Sequence, residues 1–439
     1  MKSECEPVAG RQGASGSLAT VVILLALVCA CLLIAGGPVA ESAGAATTAR
    51  PDIVIFLTDD QRAAGSMVEM PAVRRVFAQG GTRFPNGYVT TPQCAPSRSS
   101  ILSGQYAHDT GVVTNNGRNF NARNTWERYL HDNGYYTGLI GKYLNGVATP
   151  GAPYFDFTDI GRNKTDPEQV TITRAVSRFF QAESTHPARP WALVVATYSP
   201  HAPWTSMPTN PTPVPAFVPP YKPASFQEAD RTDKDSSVQE RHYSNQLIEG
   251  QYKGQQLETQ TANEEFAHLW KTIQNRNQDG NLLSFFLSDN GYAWGDHGLV
   301  GKGEPYIENS RVPFYVRWPG HIAAGATDSR IAANIDIAPT IYQATGIDPA
   351  YTVDGRSLLD NWQRQWLLLE FQNPNVFELP PWYSYLAPGD RQYIHWSDGF
   401  VEDYNLRSDP AEMIASNVPD AGIEAKLDAA KTCRGNKCP

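Results

Sequence analysis

The fold and the chemistry of this chain can be traced from residues Thr90–Gly104, which read Thr-Thr-Pro-Gln-Cys-Ala-Pro-Ser-Arg-Ser-Ser-Ile-Leu-Ser-Gly. Pro96 lies two residues after Cys94, and proline is favoured in the first turn of a helix. The segment therefore predicts a helix that begins near Cys94, where unpaired backbone N–H groups attract anions. Arg98 follows one turn later on nearly the same face, so the pattern indicates an anion site at a helix N-terminus.

Composition limits the possible functions. The chain has 439 residues, 41% of them hydrophobic, which is enough to bury a sizeable core and suggests one large domain with a smaller one. The formal net charge of −9 argues against a protein that binds nucleic acid. It does not argue against small anionic substrates, because a site can be locally positive on an acidic protein.

Residues 1–45 predict an export signal. Leu18–Ile34 is nearly all apolar, is preceded by Lys2 and Arg11, and is followed by small residues around Ala40. This pattern is typical of a signal peptide, and an uncleaved membrane anchor is the alternative because the apolar run is long for a signal core. Either interpretation makes the rest of the chain secreted or part of the cell envelope, with membrane contact only through this segment.

Cysteine usage fits an oxidising compartment. The leader holds three of the six cysteines, and the remaining chain keeps Cys94, Cys433 and Cys438. We expect the last two, which are close in sequence, to form a disulfide. Cys94 then stays unpaired, which suits either a buried structural cysteine or a residue that is chemically modified.

Polar residues follow directly on several predicted buried strands. The strands are apolar runs such as Ile53–Leu57 and Leu282–Leu287, which are typical of parallel sheets. The polar residues at the carboxyl ends of such strands are Asp59, Asp60, Lys142, His201, Asp289 and Asn290. Because ligands bind outside the carboxyl ends of the strands in an open α/β sheet, we expect these side chains to converge.

The chemistry of this set points to a cation and an oxyanion. An isolated Asp-Asp pair can be a solvated turn, but carboxylates forced together repel unless a cation lies between them. The all-oxygen set, which suits Ca²⁺ or Mg²⁺ better than zinc, is Asp59, Asp60, Asp289 and Asn290. The groups able to hold an oxyanion are Arg98, Lys142, His201 and Lys302. The sequence therefore predicts a site for a sulfate or phosphate group.

The chain divides near residue 355. Residues 50–355 alternate predicted strands and helices, which predicts an α/β catalytic domain with a mostly parallel central sheet. Residues 356–439 contain short aromatic segments separated by turns and a closing helix over Asp420–Lys431, so we expect a small C-terminal α+β subdomain. Dense prolines between Pro200 and Pro223 predict an irregular loop near the site.

The motif Cys94-Ala-Pro-Ser-Arg98 followed by Leu102-Ser-Gly104 resembles the signature of the type I sulfatases, whose cysteine is oxidised to formylglycine (3-oxoalanine) by a formylglycine-generating enzyme. The resemblance covers nearly everything from Pro51 to the C-terminus. It implies an alkaline-phosphatase-like sandwich that hydrolyses sulfate esters. In that family one hydroxyl of the hydrated aldehyde attacks sulfur and the other expels the sulfate. Ser103 departs from the threonine that is usual there.

The resemblance also implies roles for single residues. The implied catalytic residues are Cys94, Arg98, Lys142, His201 and Lys302. The implied metal ligands are Asp59, Asp60, Asp289 and Asn290 with the modified Cys94, and Ca²⁺ is the family's usual metal, with Mg²⁺ as the alternative. For two further histidines, only the position in the sequence indicates a role. His297, in the glycine-rich loop 295–303, is either a substrate contact or structural, and we expect His108 to be structural.

Departures from the family pattern indicate a branch. Many members carry a histidine, which touches the nucleophile, where this chain has Leu144, and Asn145 is a candidate replacement. Gly141-Lys-Tyr-Leu-Asn145 and Ser199-Pro-His-Ala-Pro-Trp204 resemble the N-acetylglucosamine-6-sulfatase branch. This implies a 6-O-sulfated glucosamine or related sugar as substrate, with aryl sulfates as surrogates. The loops expected to ring the site carry aromatic residues that suit either the apolar face of a sugar or local packing, namely Trp204, Tyr292, Trp294 and Tyr306.

Two rival functions stay open at this point. A phosphodiester or phosphonate monoester hydrolase could use the same cation and basic groups, because they serve phosphorus as well as sulfur. A secreted protein that binds sulfated glycans without cleaving them could retain the same residues with Cys94 as a plain thiol. Activity on paired sulfate and phosphodiester substrates separates the first rival, and the chemical state of Cys94 separates the second.

Overall fold

The computed structural model describes residues 50–147, 152–161, 166–372 and 379–439. The predicted export signal over residues 1–45 lies outside them. Within the described ranges, no helix is both long and apolar enough to cross a bilayer. The described residues all belong to one unit by their contacts.

The strands and helices of the described chain alternate through most of its length. The strands are β1 (Asp52–Thr58), β2 (Thr82–Arg83), β3 (Gly87–Tyr88), β4 (Tyr136–Gly141), β5 (Phe157–Ile160), β6 (Trp191–Ala196), β7 (Leu282–Ser288), β8 (Ala293–Trp294), β9 (Val300–Gly301), β10 (Phe314–Arg317), β11 (Ala326–Thr327), β12 (Ala332–Ala333), β13 (Leu367–Phe371), β14 (Trp382–Ala387), β15 (Arg391–Trp396) and β16 (Val401–Asn405). The helices are α1 (Pro71–Gly80), α2 (Cys94–Ser103), α3 (Ala107–Thr110), α4 (Trp126–Asp132), α5 (Glu168–Glu183), α6 (Ser236–Gln239), α7 (Asn245–Asn275), α8 (Ile307–Ser310), α9 (Ile337–Thr345) and α10 (Ala421–Ala430).

The central sheet has eight strands in the order β11-β2-β10-β7-β1-β6-β4-β5. The five strands from β7 to β5 are mutually parallel, whereas β10 runs antiparallel to β7. This confirms the predicted mostly parallel sheet. The sequence could not show the direction of β10, because a short apolar strand reads the same either way.

Helices cover both faces of the sheet, which explains why β1 is apolar along its whole length. Ile53 and Ile55 face a hydrophobic cluster that includes Ile101 of α2, while Val54 and Phe56 face another cluster around α1, α5 and α7. Successive side chains of a strand point to opposite faces, so a strand covered on both sides needs an apolar residue at every position.

Helix α2 begins at Cys94, as the position of Pro96 predicts. It ends at Ser103, and the next residue, Gly104, caps it with a φ of 71°, in the left-handed region. A Cβ at this glycine would lie 3.0 Å from the Ala338 side chain of α9, so glycine fits both the turn and the packing. All ten residues of α2 are buried, which fixes its N-terminus inside the molecule.

The C-terminal part contains a four-stranded antiparallel sheet in the order β13-β14-β15-β16, followed by α10. The predicted antiparallel sheet and closing helix are confirmed. Strand β14 was not predicted, since Trp382–Ala387 follows a pair of prolines that favours irregular structure. The predicted disulfide between Cys433 and Cys438 is also confirmed.

His108 links the segment after α2 to this C-terminal part. Its Nδ1 lies 3.0 Å from a carboxylate oxygen of Glu370 on β13, and its Nε2 lies 3.1 Å from the carbonyl oxygen of Cys433. Burial alone would lower the pKa of His108, but the hydrogen bond and charge of Glu370 outweigh it and raise the pKa to about 9. The contact is structural, as the sequence analysis expects.

This link should make stability depend on pH. The folded pKa of His108 lies above the ordinary value of 6.5, so its contribution is complete below pH 6.5 and is lost as the pH rises towards 9. We expect His108→Ala to lower the free energy of unfolding by about 1–3 kcal/mol at pH 6. Denaturant unfolding at pH 6 and pH 9.5 measures this, with His242→Ala, at an exposed histidine, as the control. A difference from wild type that does not shrink at the higher pH would contradict the assignment.

Candidate active site

The predicted polar residues converge at the carboxyl end of the central sheet. Backbone hydrogen bonds continue past the strands and hold their ends together, from Asp289 N–H to the Thr58 carbonyl (3.0 Å) and from Lys142 N–H to the Ala196 carbonyl (2.7 Å). The thiol of Cys94 at the start of α2 points into this cluster and lies 3.5 Å from Asp59 Oδ1. The structure therefore brings the nucleophile candidate and the strand ends together.

The expected metal ligands form one buried group. Oxygens of Asp59 and Asp60, Cys94 Sγ and a ring nitrogen of His201 all lie within 4.8 Å of one another. Asp289 Oδ1 accepts the Asp60 N–H at 3.2 Å. An oxygen-rich set held this closely fits Ca²⁺ or Mg²⁺, which prefer carboxylate and amide oxygens.

Asp60 and Asn290 also belong to this group, and the backbone of Asp60 has an uncommon conformation. Asp60 has a φ of 68°, a conformation that non-glycine residues rarely adopt. Its carboxylate accepts the Asn290 Nδ2–H at 2.7 Å. Such uncommon backbone conformations persist where surrounding contacts fix them, and they concentrate at functional sites.

Arg98 joins the helix to both strand ends. Its Nε–H donates to Asp289 Oδ2 at 2.7 Å, one Nη donates to the Lys142 carbonyl at 2.7 Å, and the other lies 3.6 Å from Asp59 Oδ2. The side chain is 3% exposed. A buried guanidinium with these partners is fixed in position, so α2 cannot shift relative to the metal-ligand group without unpairing a charge.

Two lysines flank Cys94 from different loops. Lys142 follows Gly141, whose φ is 89° and whose hypothetical Cβ would lie 2.0 Å from the Ala196 carbonyl oxygen, so only glycine allows this turn. The Lys142 ammonium pairs with Asp59. The Lys302 ammonium pairs with Asp60 and donates to Cys94 Sγ at 2.8 Å.

The cluster is balanced in formal charge. Three carboxylates, those of Asp59, Asp60 and Asp289, pair with three cations, those of Arg98, Lys142 and Lys302. A divalent cation bound by the carboxylates would give the site a net charge of about +2. Such a site is suited to a bound anion, whereas the balanced set alone has no excess positive charge to attract one.

Charges near the carboxylates keep them ionised despite burial. Burial by itself would raise the pKa of Asp59, but Lys142, His201 and Arg98 outweigh it and hold that pKa below its ordinary value. Lys302 and His201 have the same effect against burial on the pKa of Asp60. Both carboxylates are thus available to bind a cation at neutral pH.

The unmodified Cys94 side chain is a poor nucleophile in this position. Burial raises the pKa of its thiol to about 12, although Lys142 and Lys302 oppose the shift. The thiol is therefore protonated at neutral pH, and the thiolate is the reactive form of cysteine. The buried location suits a residue that is modified before it acts.

His201 lies at the open side of the cluster. Its Nε2 is 3.7 Å from Asp60 Oδ2, and its side chain is 38% exposed. Its Nδ1 contacts the Ala202 carbonyl oxygen, which can only accept, so Nδ1 carries a hydrogen and Nε2 faces the site. A group that touches both the cluster and solvent is placed to reach a substrate oxygen.

His297 has a different environment from the one its sequence position suggests. It is 1% exposed, and its Nδ1 lies 2.7 Å from a carboxylate oxygen of Glu228. Its ring packs 4.2 Å from that of Tyr306. These contacts do not support the expected substrate contact. They hold the loop that leads to Lys302.

The prediction of an aromatic sugar site is wrong for Trp294 and Tyr306. Each is 1% exposed and belongs to the interior. The Trp294 ring packs against the Arg62 guanidinium at 4.6 Å, and the Tyr306 hydroxyl donates to Glu402 at 3.2 Å. Their polar groups have buried partners, a feature that the sequence does not reveal.

Of the other two aromatic candidates, one is buried and one is half-buried. Tyr292 is 8% exposed and donates its hydroxyl hydrogen to Gln251 Oε1 at 2.7 Å. Trp204 donates its Nε1–H to the Pro200 carbonyl at 3.1 Å and packs against Gly254 of α7. Trp204 is thus the candidate that the structure leaves most accessible.

Leu144 and Asn145 do not replace the missing family histidine by direct contact. Leu144 is 4% exposed and belongs to the hydrophobic cluster around α2. Asn145 accepts the Gly117 N–H through its backbone carbonyl, and among the described residues no hydrogen bond joins Asn145 and Cys94. Lys302 instead supplies the hydrogen-bond donor beside Cys94.

Sequence reasoning missed Asn115 next to the nucleophile. Its side-chain oxygen accepts the Ala95 N–H at 3.0 Å, so it satisfies one free N–H at the start of α2. An Asn-Asn-Gly turn after the helix was the only available signal, and it is common in loops without function.

Comparison with known proteins agrees with this geometry. A family model described as Sulfatase matches residues 51–347, and one described as N-sulphoglucosamine sulphohydrolase, C-terminal, matches residues 295–427. Human N-acetylglucosamine-6-sulfatase is 26% identical over 93% of this chain and 89% of its own length. An extracellular sulfatase Sulf-1 homologue of Caenorhabditis elegans is 30% identical over 70% of this chain, which spans about half (48%) of that relative.

A solved structure also shares the fold. The protein BT4656, determined in complex with its substrate D-glucosamine-2-N,6-O-disulfate, superimposes with a TM-score of 0.70 at 20% identity, covering 86% of this chain and 96% of that one. This confirms the predicted alkaline-phosphatase-like α/β fold. With a family match over residues 51–347, the chain belongs to the sulfatase family and is a sulfuric ester hydrolase.

Proposed function

We propose that this chain is an exported sulfatase that removes the 6-O-sulfate of a glucosamine-type sugar, using formylglycine at position 94 and one divalent cation. The observation that carries the proposal is the position of Cys94, which lies at a helix N-terminus, 2.8 Å from Lys302 Nζ and 3.5 Å from Asp59 Oδ1. A reactive oxygen at that position would lie between the cation ligands and the basic groups that neutralise a sulfate.

Different residues act on the two parts of the substrate, the sulfate group and the sugar alcohol that leaves. Arg98, Lys142 and Lys302 supply positive charge around position 94, which stabilises the charge on the sulfate oxygens as the ester bond breaks. A divalent cation held by the carboxylates would add Lewis-acid stabilisation at the same place. The open side of the cluster, where His201 lies, is left for the sugar.

His201 is the proposed general acid. Since Nδ1 is held by the Ala202 carbonyl, Nε2 is the nitrogen that faces the cluster and can give a proton to the leaving oxygen. A sugar alkoxide is much more basic than a phenolate, so sugar sulfates need this proton more than aryl sulfates do.

The substrate proposal rests on similarity as well as on geometry. Relatives named N-acetylglucosamine-6-sulfatase from human and goat and N-acetylglucosamine-6-O-sulfatase from Bacteroides thetaiotaomicron match 83–93% of this chain. BT4656 was solved with a glucosamine that carries a 6-O-sulfate. Extracellular sulfatase homologues among the relatives support export.

The first test concerns Cys94. In protein expressed in its native host, we expect peptide mass spectrometry to find formylglycine at position 94, and Cys94→Ala to reduce turnover to the uncatalysed level while the chain stays folded. Ser97→Ala, in the same helix, is the control that shows whether a small substitution in α2 leaves the chain folded. A fully active sample in which residue 94 is an unmodified thiol would falsify the proposed formylglycine nucleophile.

The second test concerns the cation. Asp289→Ala removes a proposed ligand and leaves Arg98 without its 2.7 Å partner, so we expect loss of both metal and activity, and a destabilisation of about 3–5 kcal/mol. Asp289→Asn keeps the shape and separates the two effects. Elemental mass spectrometry measures the metal content per chain, with Asp348→Ala, at an exposed aspartate, as the control. Normal activity of either Asp289 variant in excess chelator would exclude the assignment.

The third test concerns the substrate and His201. We expect release of sulfate from N-acetylglucosamine 6-sulfate, measured by ion chromatography, to exceed release from 2-O-, 3-O- and 4-O-sulfated sugars. His201→Ala should reduce this reaction by about 10²–10⁴-fold and aryl sulfate hydrolysis much less. Equal losses would count against the general acid. If the 6-sulfate is not cleaved while a sugar sulfated at another position is, the proposed regiochemistry is wrong. If aryl phosphodiesters are cleaved faster than aryl sulfates, the phosphodiester or phosphonate monoester hydrolase is favoured instead.

A further inference from the structure

The proposed general acid lies on a segment without regular secondary structure. Strand β6 ends at Ala196, and His201 follows five residues later in an irregular loop. The geometry of such a loop depends on contacts from its surroundings, because no helix or sheet ladder fixes its backbone. His201 N–H donates to the Tyr198 carbonyl at 2.8 Å, so the position of Tyr198 directly determines that of His201.

A buried carboxylate holds this loop from the neighbouring helix. Glu168 is the first residue of α5 and is 4% exposed. One of its oxygens accepts the N–H groups of Tyr198 and Ser199, the latter at 3.1 Å, and the other accepts the Ser199 hydroxyl at 3.2 Å. A charged acceptor with several donors gives strong and directional hydrogen bonds.

Ser199 also contacts one of the proposed cation ligands. The Ser199 carbonyl accepts the Asp59 N–H at 3.3 Å. The N–H of the same residue is bound by Glu168, so Ser199 connects Glu168 with Asp59. Asp59 is also held by Lys142 and by Arg98, so we expect a shift of Ser199 to move His201 more than Asp59. Farther along the loop, the Ser206 hydroxyl also donates to Glu168, at 3.5 Å, and Ser206 N–H donates to Glu258 of α7 at 2.9 Å. Glu168 therefore contacts the loop on both sides of His201.

We infer that Glu168 is a positioning residue for His201. It does not touch the reacting atoms. Its carboxylate fixes the turn at Tyr198 and Ser199, so that His201 Nε2 is directed at the leaving oxygen rather than at solvent. The inference rests on the proposed role of His201 as general acid, and it adds to that role a residue that neither the motif nor the charge cluster indicates.

A role limited to folding would have a different signature. A carboxylate in the first turn of a helix also stabilises that helix, and loss of this effect would lower the activity towards every substrate equally. Loss of positioning would instead weaken proton transfer, so its effect should grow with the basicity of the leaving oxygen.

The experiment measures kcat/KM for a series of aryl sulfates whose leaving phenols differ in pKa, together with the sugar sulfate. We expect Glu168→Ala to slow the substrates with the most basic leaving groups by about 100-fold and those with the most acidic phenols by less than about tenfold. Glu168→Gln keeps an acceptor for both N–H groups, so it should restore most of the loss. Glu183→Gln, at the other end of the same helix, is the matched control and should leave the dependence on leaving group unchanged.

A double variant completes the design. If Glu168 acts through His201, Glu168→Ala in a His201→Ala background should cause almost no further loss. Equal loss on all leaving groups, or losses that multiply in the double variant, would overturn the inference. The two proposals can fail separately. If the loss of kcat/KM in His201→Ala does not depend on the leaving group, His201 is not the general acid. If that loss depends on the leaving group in His201→Ala but not in Glu168→Ala, only the positioning role of Glu168 is rejected.

Discussion

The structure depends on one electrostatic constraint at the carboxyl end of its sheet. Asp59, Asp60 and Asp289 are fully buried, and each pairs with a cation from a different segment of the chain. Buried charges are costly unless paired, so helix α2 and the loops that carry the two lysines must all meet the strand ends in one arrangement. Because these charges balance, the proposed divalent cation would supply the excess positive charge that holds a sulfate. Folding and catalysis thus use the same contacts.

Much of the site could be predicted because a parallel sheet makes position along the chain informative. Asp59 and Asp289 each follow a continuous apolar run, and runs of that kind end at one edge of the sheet. Pro96 fixes where α2 begins, so the placement of Cys94 also follows from local chemistry. For these residues, the information lies within a few neighbours in sequence.

The parts that were missed depend on partners far away in sequence. Trp294 and His297 occur on a loop beside the site, but Arg62 and Glu228 supply buried partners that turn them inward. Glu168 begins a helix like many other glutamates, and only the fold brings it to Ser199. Patterns along the chain reveal which face of a strand or helix is apolar, but they do not reveal which polar groups will meet.

The most direct test of the central claim is the dependence of sulfate release on added metal. Enzyme matured in its native host is freed of metal by chelation and exchanged into metal-free buffer, and sulfate released from a sulfate ester is then followed by ion chromatography as Ca²⁺ is added back. The account predicts that release stops without metal and returns with about one equivalent per chain, since Asp59, Asp60 and Asp289 together form a single cation site. Release that continues at an unchanged rate in the metal-free enzyme would contradict it.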